Sequence, residues 1–235
     1  MSFSDCLSQF YFCCVTVILD SLLLTVMSYD RYLAICKPLQ YLAICKPLHY
    51  SMIMNHHCCY MLISICWSLS FLTVLLMHTL IIAHLQFCGP NIIDHFFCDL
   101  DPILKLSCSD MAIIQIEIML LTVLFDVIPF FIVVLSYIII IVTILKIPSI
   151  TGRKQVFSTC SSHLTVVCVY YGNLACAYLV PSREQSGNIT KFLPLSYTIV
   201  TPLINPVIYT LRNKDLKKVL NIFLNKFLYE HFGSS

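Results

Sequence analysis

The chain has 235 residues, of which 59% are apolar and 11% are charged. A soluble domain carries about 45–50% apolar and about 25% charged residues, so this composition excludes a soluble domain and indicates an integral membrane protein. The net charge of +2 is the sum of an uneven distribution, and it does not exclude a preferred membrane face. No catalytic or metal-binding motif is present, so we expect no enzyme activity, cofactor, metal site or nucleic-acid partner.

Five segments are long and apolar enough to cross a bilayer as helices, which requires about 20 mostly apolar residues. Between them, 11 of the 14 basic residues (all except Lys105, Arg183 and Lys191) fall on one side, which the positive-inside rule makes cytoplasmic. The sequence therefore predicts a single all-α membrane domain, a helical bundle with its amino terminus outside and its carboxyl terminus in the cytoplasm. The predicted segments are residues 10–27, 58–84, 113–145, 157–180 and 192–211.

A short stretch with an acid–base pair, residues 27–36 (MSYDRYLAIC), joins the first segment to a basic region. Within and after it, residues 32–40 (YLAICKPLQ) are repeated as residues 41–49 (YLAICKPLH). If helical, such an insertion adds about two and a half turns. Pro38 and Pro47 argue against one continuous helix through both copies, because proline lacks a backbone N–H.

Prolines also occur inside two later segments. Pro129 in the third segment, and Pro202 and Pro206 in the fifth, each remove a backbone hydrogen bond and are expected to kink a helix. After the fifth segment, residues 213–229 place apolar and lysine side chains on opposite faces at helical spacing. This pattern predicts an amphipathic helix that lies on the inner surface of the lipid bilayer.

Two carboxylic acids lie within predicted segments, Asp20 in the first and Asp126 one turn before Pro129. An acid at the bilayer centre costs roughly 2.5–3.5 kcal/mol on insertion scales, so both are expected to face the bundle. One interpretation is a cation site or a switch partner. The other is a protonated acid that is hydrogen-bonded to a neighbouring helix, and the sequence does not decide between them.

Four cysteines, Cys6, Cys88, Cys98 and Cys108, lie outside the cell in the predicted topology. Oxidising conditions there permit disulfides, although free loop thiols are the alternative, and four cysteines allow three pairings that sequence alone does not distinguish. Nine others lie within or beside apolar segments and are interpreted as packing residues. These are Cys13, Cys14, Cys36, Cys58, Cys59, Cys66, Cys160, Cys168 and Cys176.

Several motifs together resemble those of olfactory receptors, members of the rhodopsin-like family of G-protein-coupled receptors. Residues 27–36 are similar to the family's MAYDRYVAIC, residues 154–163 (KQVFSTCSSH) to its KAFSTCxSH, and residues 202–213 (PLINPVIYTLRN) to its PMLNPxIYSLRN. The loop of residues 87–110, which contains HFFCD, resembles the family's long cysteine-bearing loop. The resemblance runs almost from end to end.

The resemblance implies that the five segments correspond to helices three to seven of a seven-helix receptor, with helices one and two absent. It also implies the disulfides Cys6–Cys98 and Cys88–Cys108, and it makes Arg31 an inactive-state latch and a G-protein contact. The residues implied for coupling and switching are Asp30, Arg31, Tyr32, Tyr137, Asn205, Pro206 and Tyr209. Those implied for ligand binding are Cys13, Cys14, Val17, Ile18, Leu121, Phe125, Tyr171, Leu174 and Tyr178.

The function implied by the resemblance is binding of a small volatile odorant and signalling to a heterotrimeric G protein of the olfactory stimulatory type at the plasma membrane. The largely apolar ligand set suits a ligand held by shape and desolvation. The alternative is a non-signalling product, truncated or dimerising, that is retained in the endoplasmic reticulum. It rests on the missing helix-two neighbour of Asp20, and on the repeat, which would move an inner loop that the G protein touches out of register.

Overall fold

The computed structural model describes residues 2–41, 54–86, 88, 98, 100–104, 107–109, 112–179, 219 and 222. Nearly all of these residues are helical, which confirms the predicted all-α membrane bundle. A single π-helical turn, Val123–Val127, joins two of the helices into one continuous element. The helices are α1 (Phe3–Tyr41), α2 (His56–His84), α3 (Leu100–Leu104), α4 (Ala112–Thr122), α5 (Ile128–Leu145) and α6 (Ile150–Leu179).

Three stretches within the described residues are long and apolar enough to cross a membrane: Phe3–Cys36, His56–His84 and Ala112–Leu145. They contain the first three predicted segments completely. Helix α6 has 30 residues and covers nearly all of the predicted segment 157–180. Its role as a membrane span remains a prediction, because its apolar residues are interspersed with polar ones. The predicted segment 192–211, and the amphipathic helix 213–229 except for residues 219 and 222, lie outside the described residues.

Helix α1 is much longer than the predicted segment 10–27. Its 39 residues span about 58 Å, nearly twice the ~30 Å of the hydrocarbon layer, so α1 extends beyond the membrane. The helix passes Pro38 and ends at Tyr41, so the first copy of the repeat is helical, whereas the expectation that no single helix runs through both copies concerns residues outside the described part. Pro38 has no N–H to donate to the carbonyl of Ala34, so α1 lacks one backbone hydrogen bond just before its last turn. Residues 42–50 lie outside the described part of the chain.

The π-helical turn lies immediately before Pro129. Within it, the N–H of Ile128 donates to the carbonyl of Val123, five residues earlier. A proline ring collides with the carbonyl four residues before it in a regular α-helix, and the wider turn relieves this collision. The expected disturbance at Pro129 therefore takes the form of a π turn. It also carries Asp126, whose side chain is buried.

Helix α1 is the centre of the packing and makes its most extensive contacts with α5 and α2. Two buried clusters lie along it, and we name them by their contents. The disulfide cluster contains Cys6, Phe10, Val15, Ile18, Val74, Met77, Ile81, Leu85, Cys98, Ile103 and Ile114. The Tyr137 cluster contains Leu24, Cys36, Val133, Tyr137, Ile140, Ile144, Cys160, Val166, Val167 and Tyr170.

Two disulfides lie at the same end of the bundle. Cys6 is bonded to Cys98, with Cα atoms 5.1 Å apart, and Cys88 is bonded to Cys108, with Cα atoms 6.1 Å apart. These are the two pairs implied by the family resemblance. The backbone N–H of Cys98 also donates to Oε1 of Gln9 at 3.0 Å, so a polar side chain of α1 helps to hold the loop residue over the first turns of the helix.

The nine cysteines interpreted as packing residues differ in their surroundings. Cys36, Cys66 and Cys160 are buried, as the packing interpretation requires. Cys168 and Cys176 are exposed on α6, so that interpretation is wrong for these two. A thiol is apolar enough to face lipid, and position within an apolar segment therefore does not distinguish a buried cysteine from a lipid-facing one.

Candidate functional site

A tyrosine hydroxyl links three helical elements in the middle of the bundle. The hydroxyl of Tyr170 on α6 lies 2.9 Å from the carbonyl oxygen of Val17 on α1 and 3.4 Å from Oδ1 of Asp126 in the π turn. A phenol has a single proton to donate, so it bonds one of these acceptors at a time. The shorter distance favours Val17. The carboxyl group of Asp126 is therefore buried next to the hydroxyl of Tyr170, which already donates to α1.

The neighbouring residue, Tyr171, makes a second link to α1. Its hydroxyl lies 3.3 Å from Oγ of Ser21, a fully buried serine. Its ring packs edge-on against Phe130 of α5, with ring centroids 4.9 Å apart. Tyr170 belongs to the Tyr137 cluster and Tyr171 packs against it, and their hydroxyls contact α1 at Val17 and Ser21, next to Ile18 of the disulfide cluster. We call this pair, with Asp126 and Ser21, the tyrosine layer.

The residues implied to bind the ligand lie on both sides of the tyrosine layer. Ile18 belongs to the disulfide cluster, and Cys14, Leu121 and Phe125 pack against it. Tyr171 and Leu174 pack against the Tyr137 cluster. The carbonyl of Val17 accepts a hydrogen bond from Tyr170. Cys13 is partly buried. Tyr178 lies in α6, but its side chain is outside the described part. The structure thus gathers four of these residues at the disulfide cluster.

The acid–base pair lies at the opposite end of α1 from the disulfides. Nε of Arg31 is 4.0 Å from Oδ2 of Asp30, and both side chains are partly exposed. The ring of Tyr32 stacks on that of Tyr29, with centroids 6.3 Å apart, and packs against the Tyr137 cluster. An exposed ion pair at this distance contributes little to stability, so the guanidinium of Arg31 is available to other partners.

A buried histidine is one of three polar residues, with Ser21 and Tyr170, that the sequence analysis did not assign to the site. His163 on α6 is 1% exposed, and its Nδ1 lies 2.7 Å from the hydroxyl of Tyr137 on α5. The two rings are stacked with centroids 5.8 Å apart, and Nε2 of His163 is buried without a hydrogen-bond partner. One feature of the sequence pointed to this contact. Tyr137 and His163 both lie within apolar segments, and polar groups inside a membrane generally face the bundle and pair with one another.

The remaining predicted site residues make no side-chain hydrogen bond within the described part of the chain or lie outside it. Asp20 is half-buried, and no hydrogen bond or ion pair to it occurs within the described part of the chain. Asn205, Pro206 and Tyr209 lie outside the described residues. Over those described residues, no group of three or more His, Cys, Asp or Glu side chains is arranged to hold a metal ion.

The motifs, the helical bundle and the two disulfides can be compared with known families. The family model described as "Olfactory receptor" matches residues 1–226 of the chain. The chain belongs to the olfactory receptor family. It is therefore a membrane protein of the rhodopsin-like receptor class and not an enzyme, as the sequence predicts.

Individual relatives agree with this assignment. Olfactory receptor 1500 of Rattus norvegicus is 46% identical over 220 residues, which cover 94% of this chain and 67% of the relative. Olfactory receptor 1M1 of Mus musculus is 43% identical over 226 residues, covering 96% and 69%. Olfactory receptor 11L1 of Homo sapiens is 43% identical over 220 residues, covering 94% and 65%. The chain thus spans about two thirds of the length of these olfactory receptors.

The contact between Tyr137 and His163 predicts a measurable coupling in this olfactory receptor chain. In a double-mutant cycle of Tyr137→Phe and His163→Phe, we expect a coupling free energy of about 0.6–1.7 kcal/mol, as found for hydrogen bonds between membrane helices. Thermal unfolding of the four purified variants in one detergent provides the measurement. Tyr137→Phe combined with His78→Phe, at the other cluster, is the control and should be additive. Additivity of the Tyr137 and His163 changes would contradict the prediction.

Proposed function

We propose that this chain binds small, largely apolar odorants between α1, α4 and α6 and signals through its Arg31 end to a heterotrimeric G protein of the stimulatory type. We further propose that it acts at the plasma membrane with its amino terminus outside. The observation that carries the proposal is the tyrosine layer. It connects α6 to α1 beside the four proposed ligand residues at the disulfide cluster, and its Tyr170 belongs to the same cluster as the proposed switch residue Tyr137.

The proposed ligand site favours shape over hydrogen bonding. Leu121, Phe125 and Ile18 present hydrocarbon, and Cys14 adds a polarisable thiol. An apolar ligand gains free energy from leaving water, at about 25 cal/mol for each Å² buried. The tyrosine layer supplies hydrogen-bonding groups next to this site, because Tyr170 donates to the carbonyl of Val17, the residue before Ile18. A ligand there would lie next to Tyr171, and its binding would bias the contact of Tyr171 with Ser21.

The proposed signalling end depends on the charge of Arg31, whose ion pair with Asp30 is long, at 4.0 Å, and partly exposed. The guanidinium of Arg31 stays charged at any physiological pH and can bond carboxylates or backbone carbonyls in a planar fork. Beside it, Tyr137 is bonded to His163, so a movement of α6 relative to α5 would change this hydrogen bond. In this proposal, the movement of α6 relative to α5 changes the groups that surround Arg31 and therefore the surface that the G protein contacts.

One observation favours the second candidate, a membrane protein that does not signal. Asp20 is half-buried in α1, and no partner for its carboxylate lies within the described residues. An acid in a membrane helix carries a desolvation cost, and no hydrogen bond from the described residues offsets it for Asp20. A chain weakened in this way would be retained in the endoplasmic reticulum or would associate with another membrane protein.

Ligand-driven signalling in cells tests the proposal. We expect cells that express the chain to raise cAMP in response to members of a broad panel of volatile compounds, and we expect Arg31→Ala to abolish the response at equal surface level. Phe125→Ala should raise the half-maximal concentration of an active compound several-fold. Phe12→Ala, which alters an exposed ring of α1, should leave it unchanged.

Two outcomes separate the candidates. A chain that reaches the surface, as shown by antibody staining of an amino-terminal tag, but stays silent over the whole panel contradicts the proposal. A chain that remains inside the cell and is silent supports the second candidate. A response that survives Arg31→Ala would remove Arg31 from the proposed signalling end.

A further inference from the structure

Two adjacent cysteines lie in the first turn of α2. Cys58 and Cys59 are free thiols of intermediate exposure, and they follow the exposed His56 and His57. Asn55 holds this turn, since its Oδ1 accepts from the N–H of Cys58 at 2.8 Å and its carbonyl from the N–H of Cys59 at 3.0 Å. A helix cap of this kind stabilises the start of the helix, so both thiols are held at a defined position.

The disulfides indicate on which side of the membrane these thiols lie. At the far end of α2, Leu85 belongs to the disulfide cluster, and the carbonyl of Gln86 accepts from the N–H of Cys108. Disulfides form in oxidising compartments. The 29 residues of α2 span about 43 Å, more than the hydrocarbon layer, so Cys58 and Cys59 lie at the opposite, reducing membrane surface.

The surface of α2 next to the thiols is apolar and faces outward. Starting from Cys58, the exposed side chains at helical spacing on the same side of α2 are hydrocarbon or thioether groups. Leu72 and Leu76 further along this side are 64% and 61% exposed, so the strip is not covered by another described helix. The strip consists of Met61, Ile65, Leu69, Leu72 and Leu76.

We propose that Cys58 and Cys59 form a site of S-acylation by a long-chain fatty acyl-coenzyme A, with the acyl chain lying along the apolar strip of α2. The cysteine sulfur attacks the thioester carbonyl, a new sulfur–acyl bond forms, and the bond between the acyl carbon and coenzyme A breaks. Coenzyme A leaves as a thiol with the proton that the cysteine lost, and no oxidation or reduction takes place. A cysteine beside a membrane surface is where reversible acylation occurs.

The position of the pair makes acylation selective among the free cysteines of the described part of the chain. Cys66 is buried on α2, and Cys36 and Cys160 are buried in the Tyr137 cluster, so a membrane-bound acyltransferase does not reach their thiols. Cys168 and Cys176 are exposed but lie 18 and 26 residues beyond Ile150, the start of α6, which places them about 27 and 39 Å along that helix. Only the pair on α2 combines exposure with a helix start, within the described part of the chain.

Metabolic labelling of the full chain with an alkynyl palmitate analogue tests the proposal. We expect the purified chain to carry a label that hydroxylamine releases, because hydroxylamine cleaves thioesters. The label should fall by about half in Cys58→Ser and in Cys59→Ser, and to background in the double variant. The control variant, Cys168→Ser with Cys176→Ser, should keep the full label, since it also removes two exposed thiols.

A second measurement uses the unaltered chain, so its result does not depend on whether a cysteine variant folds. Exchange of hydroxylamine-released acyl groups for a heavy maleimide, followed by peptide mass spectrometry, identifies which cysteine was acylated. The tag on the peptide that contains Cys58 and Cys59 supports the proposal. An unlabelled chain, a label that resists hydroxylamine, or a tag on other cysteines would overturn it. This result does not depend on whether the chain signals.

Discussion

Replacing Cys6 and Cys98 together by serine is expected to lower the thermal stability of the chain more than any other pair of cysteine substitutions. The bond closes a loop of 92 residues, and in the chain-entropy description a loop of about 100 residues corresponds to about 4.7 kcal/mol. Both cysteines are fully buried, so the change also disturbs the disulfide cluster. Thermal unfolding in detergent, followed by size-exclusion chromatography of the heated sample, measures the loss.

Two variants serve as comparisons for this prediction. Cys88→Ser with Cys108→Ser opens a bond with a sequence separation of 20, and a loop of about 15 residues corresponds to only about 3 kcal/mol. Cys168→Ser removes an exposed free thiol and should leave the melting temperature unchanged. Double variants are used so that no partner cysteine remains to form a wrong disulfide. Equal melting of the Cys6/Cys98 and Cys168 variants would show that the bond does not hold the fold.

Deleting residues 41–49 is expected to increase ligand-driven signalling several-fold at equal surface level, if the proposed function is correct. The structural reason is the helical first copy of the repeat, which carries α1 to Tyr41. If the nine residues of the second copy are helical, they rotate the exit of the chain by about half a turn and move it by about 13 Å. The loop that follows is then displaced relative to Arg31.

The length of the inserted segment can be separated from its sequence. A variant in which residues 41–49 are replaced by nine alanine and glutamate residues keeps the length and a high helix propensity, and should signal as weakly as the unaltered chain. A deletion that changes nothing would show that the repeat does not affect coupling. Equally strong signalling by the alanine–glutamate variant and the deletion would assign the effect to the sequence of the second copy.

The positions of the helices followed from hydropathy where the apolar segment and the helix coincide. The predicted segment 58–84 and the helix His56–His84 agree closely, because Asn55 caps α2 just where the apolar residues begin. Agreement was poor for α1, since hydropathy locates the bilayer and not the end of a helix that continues into water. Pro129 indicated a disturbed backbone, but proline alone does not specify a π turn.

The contacts within the site depended on information that the sequence does not carry. The motif of residues 154–163 includes His163, and the resemblance includes Tyr137, yet their hydrogen bond depends on the rotation of α5 and α6 about their axes. The bond from Tyr170 to Val17 uses a backbone carbonyl, which every residue has, so no motif marks it. Four of the residues proposed to bind the ligand lie at the disulfide cluster because helical spacing places them on one side of α1 and on one side of the element formed by α4 and the π turn.

Helix α1 has no glycine or proline before Pro38, so nothing in its sequence provides a hinge. Its first turns are tied through Cys6 to the loop residue Cys98, and 30 residues later the thiol of Cys36 lies 3.4 Å from the hydroxyl of Thr143 on α5. The two attachments are about 45 Å apart along one continuous helix. Because this helix has no hinge between them, we expect a rotation of its first turns by the loop to change its contact with α5 as well.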